Sequence, residues 1–268
     1  MPRMIPCLLL AAPFLLAGSE LPETAAALFA KAEKSKWYED FAKLGAELHP
    51  SSDKKSFYAV WKSVPEPKRW IVSLHGSRGF ATDDLAVWQP HLSGREVGIV
   101  CLQWWMGFPA EGDAPGSYLT PEQIYREIDF ALRTLGVKPG TVLFEGFSRG
   151  AANSYAVAAI DAGKGRRYFS LCVASSGGMS ADFPANRSIV KGEYGEQPLK
   201  GTRWATAAGA KDGHPERDGI AAMRRTGEWL KEQGAEVKLQ VEDPDEGHGA
   251  LHRSRANMAR VLDLFFNP

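Results

Sequence analysis

Thr141-Val142-Leu143-Phe144-Glu145-Gly146-Phe147-Ser148-Arg149-Gly150-Ala151-Ala152-Asn153-Ser154-Tyr155-Ala156-Val157 is the stretch on which the reading of this chain turns. Thr141 to Phe144 has the composition of a buried strand, and Ala151 to Val157 reads as the start of a helix that runs from Ser148 to about Ala162. Between them Gly146, Ser148 and Gly150 make the pattern G-x-S-x-G. A strand that turns this sharply into a helix strains the backbone at its corner, and glycines on both sides leave room for strand and helix to approach. The Ser148 hydroxyl then stands above the sheet, and the N-terminal N–H groups of the helix point toward it. The structural alternative is a serine capping a helix in a glycine-rich turn.

Outward from this corner, strand and helix signals alternate. Upstream, Leu28, Phe29, Ala32, Phe41, Leu44 and Leu48 recur at helical steps across Leu21 to Leu48. Ser56 to Trp61 alternates as a strand, and Trp70 to Leu74 is a short, mostly apolar run ending at His75-Gly76. Val97 to Leu102 is a third strand. Pro121 to Leu135 is a helix with Thr120 as N-cap, Pro121 at its first position and Gly136 as its stop. Downstream, Tyr168 to Ala174, the weaker Trp204 to Ala208 and Val237 to Val241 read as strands. Pro215 to Gln233 and the closing His252 to Phe266 read as helices. Short runs apolar on both faces suit a parallel sheet, so the pattern predicts an α/β architecture with helices on both sides. Ser175 to Gly201 lacks regular pattern, and irregular stretches of this length are lids or disordered segments.

The 268 residues suit one domain with an ample core, and 44% hydrophobic with 24% charged residues is ordinary for a globular chain. Lysine plus arginine and aspartate plus glutamate both number 32, so no net field favours nucleic acid or an anionic membrane. The first residues differ in kind. Met1-Pro2-Arg3 is positive, Ile5 to Leu16 is apolar and Ala17-Gly18-Ser19 is small, the order of a secretory signal cleaved before Glu20. The apolar run is short for a membrane span, which leaves a retained anchor as the alternative. The expected organisation is therefore a signal over 1–19 and one domain over 20–268 that opens with a helix, in a secreted or periplasmic protein without stable membrane association. Cys7 leaves with the signal, and Cys101 and Cys172 fall in strand-like runs, where cysteine is a small core hydrophobe.

A serine hydroxyl is a poor nucleophile until a base takes its proton. Glu246-Gly247-His248-Gly249-Ala250 supplies a histidine in a glycine-flanked loop after the last predicted strand, with His252 its nearest rival. The acid that orients such a histidine is expected between Ser148 and His248 in chain order. Asp212, in Gly209-Ala210-Lys211-Asp212-Gly213 at the end of a strand, fits best. Asp218, Asp243 and Asp245 compete, Asp218 being expected to face outward on its helix. Two N–H donors for a developing oxyanion come from Arg149 and from the loop His75-Gly76-Ser77-Arg78-Gly79, in which Ser77 and Arg78 are equal candidates. His75 is expected to organise that loop. Trp104, Trp105 and Met106, in Gln103 to Phe108, either line a substrate pocket or pack beneath the long irregular segment. Arg149 either reaches an anionic substrate group or pairs locally. The six histidines show no metal-ligand spacing, and neither metal nor cofactor is expected.

With these residues in this order the chain resembles the α/β-hydrolase superfamily from about Ser56 to Phe266. It looks most like small secreted esterases of the feruloyl-esterase, polyester-depolymerase and dienelactone-hydrolase-like branches. The resemblance implies an eight-stranded, mostly parallel sheet with the site at the strand C-termini. It implies a serine hydrolase that cleaves a small-molecule or polymer-linked carboxylic ester through an acyl-enzyme, with a Ser148, Asp212 and His248 triad. Glucuronoyl esterases also carry an arginine beside the nucleophile. Ala151 after the elbow departs from the double-glycine ending of prolyl-oligopeptidase-type peptidases. A peptidase or amidase, or a non-catalytic binding protein of the same fold, are the alternatives.

Overall fold

Each run of residues apolar on both faces becomes a strand of one sheet. The computed structural model describes residues 20–107, 116–163 and 165–268. The signal-like segment 1–19 and Phe108 of the aromatic stretch lie outside them. The strands are β1 (Glu47–Pro50), β2 (Phe57–Lys62), β3 (Arg69–Leu74), β4 (Val97–Leu102), β5 (Val142–Phe147), β6 (Phe169–Ser175), β7 (Arg203–Gly209) and β8 (Glu236–Asp243). They form an eight-stranded sheet in the order β1-β2-β4-β3-β5-β6-β7-β8. β1 and β2 are antiparallel and every pairing from β4–β3 to β7–β8 is parallel.

Alternation along the strands divides the core in two. Trp70, Val72 and Leu74 of β3 join Val100 and Leu102 of β4 and Val142 and Phe144 of β5 in one cluster. Ile71, Ile99, Cys101 and Leu143 point the other way into a second. Helices cover both. α1 (Glu23–Ala32), α2 (Tyr38–Ala42) and α3 (Ala81–Trp88) pack on the second cluster through Leu28, Phe41, Leu85 and Trp88. α4 (Pro121–Thr134) and α5 (Arg149–Gly163) pack on the first through Ile124, Ile128, Tyr155 and Val157. α4 starts on the expected Thr120, whose side chain accepts from the Gln123 N–H in a reciprocal capping box. In α5 every residue from Gly150 to Ala162 is buried, so the helix that follows the glycine corner is also the most enclosed element on that face.

After the short α6 (Arg187–Val190) the chain departs from sequence expectation twice. The predicted helix Pro215 to Gln233 is two, α7 (Pro215–Asp218) and α8 (Ile220–Glu232), broken at Gly219, where a Cβ would meet the Pro215 Cα at 2.8 Å. The closing helix is also two, α9 (Ala250–Arg253) and α10 (Arg255–Phe266), because Ser254 leaves helical geometry and caps the second by accepting from the Asn257 N–H. His252 therefore lies buried in α9 and does not open the final helix. A third departure lies upstream. The Leu21 to Leu48 stretch, expected as one helix, is α1, α2 and then β1, because Gly45 at φ 64° turns the chain and Leu48 goes on to pair with Ala59 across the sheet. Cys101 on β4 and Cys172 on β6 are buried free thiols, kept apart by the two strands between them.

Candidate active site

The corner after β5 has the predicted strain. Ser148 sits at φ 55°, a conformation disfavoured for any residue with a Cβ, and its N–H is held by the Ser175 carbonyl at 2.8 Å. The flanking glycines are sterically obligatory. A Cβ on Gly146 would come within 2.4 Å of the Gly150 carbonyl oxygen, and one on Gly150 within 2.2 Å of the Leu74 carbonyl oxygen. Gly177, past the end of β6, approaches so closely that a Cβ would lie 2.2 Å from the Ser148 carbonyl oxygen. Its own carbonyl accepts from the Tyr155 hydroxyl at 2.6 Å.

Asp212 and His248 arrive on two loops stitched together by backbone. The Ala210 N–H donates to the Asp243 carbonyl at 2.8 Å and the Lys211 N–H to the Glu246 carbonyl at 2.9 Å. Gly209 permits this: a Cβ there would meet the Glu246 oxygen at 2.2 Å. One Asp212 oxygen accepts from the His214 N–H at 2.8 Å, and the other lies 2.9 Å from His248 Nδ1. His248 Nε2 in turn lies 2.8 Å from Ser148 Oγ. The Asp212 side chain is fully buried while that of His248 is 35% exposed, so the imidazole has a buried anionic side and an open one.

Two of the three competing acids are placed elsewhere. Asp243 accepts from the N–H groups of Asp245 and Glu246 and from the Asn257 amide, which hold its carboxyl below the usual carboxylate range and hold the loop that carries His248. Asp245 is exposed and pairs with Lys211. Asp218, expected to face outward, instead faces in: it is 3% exposed, and its Oδ2 lies 4.0 Å from His248 Nδ1. The break at Gly219 is the reason. Asp212, Asp218 and His248 are the group of possible metal-ligating atoms found among the described residues, and the 2.9 Å contact within it has hydrogen-bond length.

The loop after β3 distinguishes the two oxyanion candidates. Arg78 spends its N–H on the Tyr118 hydroxyl at 3.0 Å, whereas Ser77 lines the cavity in front of Ser148. His75 is buried and stacks on Trp104; it hydrogen-bonds the Gly76 carbonyl, and burial lowers its pKa to about 4, leaving a neutral ring that braces the loop. The cavity, about 370 Å³, is lined by Ser77, Ser148, Arg149, Phe183, Arg217 and Asp218 among others. A neighbouring one of about 310 Å³ shares Arg149 and Phe183 and adds Trp104 and Tyr118. Trp104 thus reaches a cavity wall, while Trp105 packs on Phe80 and Met106 packs against the core, neither lining these cavities. The Arg149 guanidinium lies 4.1 Å from the Tyr118 ring centroid and 5.3 Å from that of Phe183. Tyr118 and Phe183 sit in irregular segments and carry no spacing signal in the sequence, and Asp218 stands there only as a competing acid expected to face outward.

Comparison with known proteins gives a fold and no closer kinship. No family model matches the chain, and no curated protein matches it. Solved structures do. A hyperthermophilic esterase from the archaeon Pyrobaculum calidifontis superposes with a TM-score of 0.62 at 14% identity, covering 90% of this chain and 92% of that one. A phospholipase/carboxylesterase from Dyadobacter fermentans superposes at 0.55 with 20% identity, covering 77% and 95%. A carboxylesterase from Mesorhizobium loti superposes at 0.57 with 17% identity, covering 79% and 95%. The fold is that of the α/β-hydrolases. In this α/β-hydrolase sheet Ser148, Asp212 and His248 follow β5, β7 and β8, at the C-terminal ends of parallel strands, where open α/β sheets build their sites.

Proposed function

We propose that the chain is a serine hydrolase acting on carboxylic esters, with Ser148 as nucleophile, His248 as general base and Asp212 as the acid that orients it. One observation carries the reading: the unbroken line of hydrogen-bond contacts from Ser148 Oγ through both ring nitrogens of His248 to Asp212. Asp212 accepts Nδ1–H, which leaves Nε2 as the acceptor facing the serine proton. On attack, Oγ bonds the ester carbonyl carbon as its proton passes to Nε2. The imidazolium so formed is stabilised by Asp212 and then protonates the leaving alcohol. Water repeats the sequence on the acyl-serine and releases the acid. The oxyanion is assigned to the N–H groups of Arg149, at the first turn of α5, and of Ser77. Ser77 is preferred to Arg78 because the Arg78 N–H is engaged by Tyr118. The names of the structural relatives, esterases and carboxylesterases, agree with this chemistry.

The test is covalent labelling with a fluorophosphonate, followed by a panel of p-nitrophenyl acyl, feruloyl and glucuronate methyl esters. Wild type should label and turn over at least one ester, and Ser148→Ala should lose labelling and cut kcat by roughly 10⁴-fold or more. A folded wild type that does not label would sink the hydrolase reading. Labelling with turnover of peptides but not esters would reassign it to the peptidase class. We also propose, from the charge, apolar and small-residue order of residues 1–19, that the chain is exported. Protein recovered from the exported fraction should then begin at Glu20.

A further inference from the structure

Asp218 is the carboxylate of this site that a serine–histidine–acid relay leaves without a task. Its Oδ2 lies 4.0 Å from the same His248 Nδ1 that donates to Asp212 at 2.9 Å. Arg217 grips that oxygen through Nε and Nη2 at 2.8 and 2.6 Å. The grip is unequal toward solvent, since the Arg217 side chain is 63% exposed and that of Asp218 only 4%. Water therefore screens the guanidinium at His248 more strongly than it screens the carboxylate. The turn is fixed from the nucleophile's side as well. The Arg217 carbonyl accepts from the Gly178 N–H at 3.1 Å, and a Cβ on Gly178 would meet that carbonyl at 2.4 Å. Among the described residues the ring also meets Ser148 at Nε2 and the Phe147 ring, which in turn contacts buried His252. Lys211 is paired with Asp245 at the surface.

We propose that Asp218 is a positioning residue of this site, a second carboxylate that shares the His248 ring with Asp212 and stabilises its protonated form. The inference rests on the reading of His248 as general base. When the serine proton reaches Nε2, the new positive charge faces two buried carboxylates. When Asp212 is removed, a small tilt of the ring brings Nδ1–H to hydrogen-bond length from Asp218.

The deciding experiment follows the His248 ring protons by NMR across pH in Ser148→Ala protein, with and without Asp218→Asn, alongside kinetics in the Ser148 background. Losing a carboxylate this close should move the His248 titration to lower pH by about one unit. It should lower kcat roughly tenfold with KM unchanged, and carry the acid limb of the rate profile to lower pH. The same substitution should cost more in Asp212→Ala than in wild type, because only there is Asp218 the sole carboxylate on the ring. Arg217→Ala supplies the opposite sign, raising the titration, and serves if Asp218→Asn does not fold. An unmoved titration in folded Asp218→Asn, or in Arg217→Ala if the first variant is unfolded, overturns the proposal. The titration needs no substrate. A shifted titration in a protein inert to every ester would uphold the pairing and refute the esterase reading instead.

Discussion

At the residue scale the site is made by contacts too close for substitution. Gly150→Ala would drive a methyl into the Leu74 carbonyl, which cannot retreat without moving β3. Unfolding in urea should show a loss of about 3 kcal/mol, the upper end of what overpacking costs. Gly213→Ala, with open space around it, should be within about 0.5 kcal/mol of wild type. Equal stabilities for the two variants would contradict the packing described for the corner. Ser148, Asp212 and His248 could be found in the sequence because each is flagged by its neighbours: a glycine pair around Ser148, a strand-end glycine turn at Asp212, a glycine-flanked loop at His248. The inward direction of Asp218, a competing acid in the sequence, could not be read, since it depends on a break at Gly219 that helical spacing does not register.

At the element scale, the buried Asp161 side chain adds a polar tie to the packing of α5 on β6. Asp161 accepts from the N–H groups of Tyr168 and Phe169 at 3.0 and 3.1 Å and from the Tyr125 hydroxyl at 2.9 Å, tying α5, the start of β6 and α4 together. Asp161→Ala strands those donors in a buried place and should cost about 3 kcal/mol, read as a lower urea midpoint at unchanged m-value. The Thr120 capping box is worth less: Thr120→Ala should cost about 1 kcal/mol. If Asp161→Ala proved no costlier than Thr120→Ala, the tie would be dispensable. Strands β2 to β7 were legible because each is a short run with apolar residues on both faces, and β8 because Val237, Leu239 and Val241 alternate with polar residues. β1, four residues long, carries too little pattern and continues the helical spacing of the segment before it. α3 carries no clear helical period, because its eight residues include two adjacent aspartates, one of which, Asp84, is buried.

At the scale of the whole molecule, a buried acidic network centres on Ser73 of β3 and Glu145 of β5, the strand that leads into Ser148. The Ser73 hydroxyl is 2.5 Å from Asp84 Oδ2 and 2.9 Å from Glu145 Oε2; the Trp88 indole donates to the Ser73 oxygen, and His252 Nε2 lies 3.5 Å from Glu145 Oε1. One hydroxyl proton cannot serve two carboxylates. Burial pushes Asp84 up to about 7, with the Asp83 charge adding to it, and pushes Glu145 well above the usual range, with the Asp84 charge adding to it. A carboxyl whose pKa is raised on folding contributes stability below its unfolded value, near 4, and loses it as pH rises through the folded value. Buried His252 and His75, lowered to about 3 and 4, run the other way and lose stability as pH falls below the unfolded histidine value. The difference between Glu145→Gln and wild type isolates the acid. The Tm of the variant relative to wild type should rise between pH 5 and pH 8, and a difference constant with pH would show that Glu145 binds no extra proton in the folded chain.

The alternation of strands β2 to β8 with helices, the strained corner at Ser148 and the chain order of Ser148, Asp212 and His248 follow from the sequence alone. They depend on local properties: apolar period, glycine placement and the reach of a few residues along the backbone. Which residue of the loop after β3 lines the cavity, which acids reach His248, and that Glu145 and Asp84 meet around one hydroxyl were decided only by the tertiary structure. Those contacts join β3, α3, β5, α7 and the β8–α9 loop, segments far apart in the sequence. Their geometry is set by the packing of the sheet and its glycine contacts, which no single segment encodes.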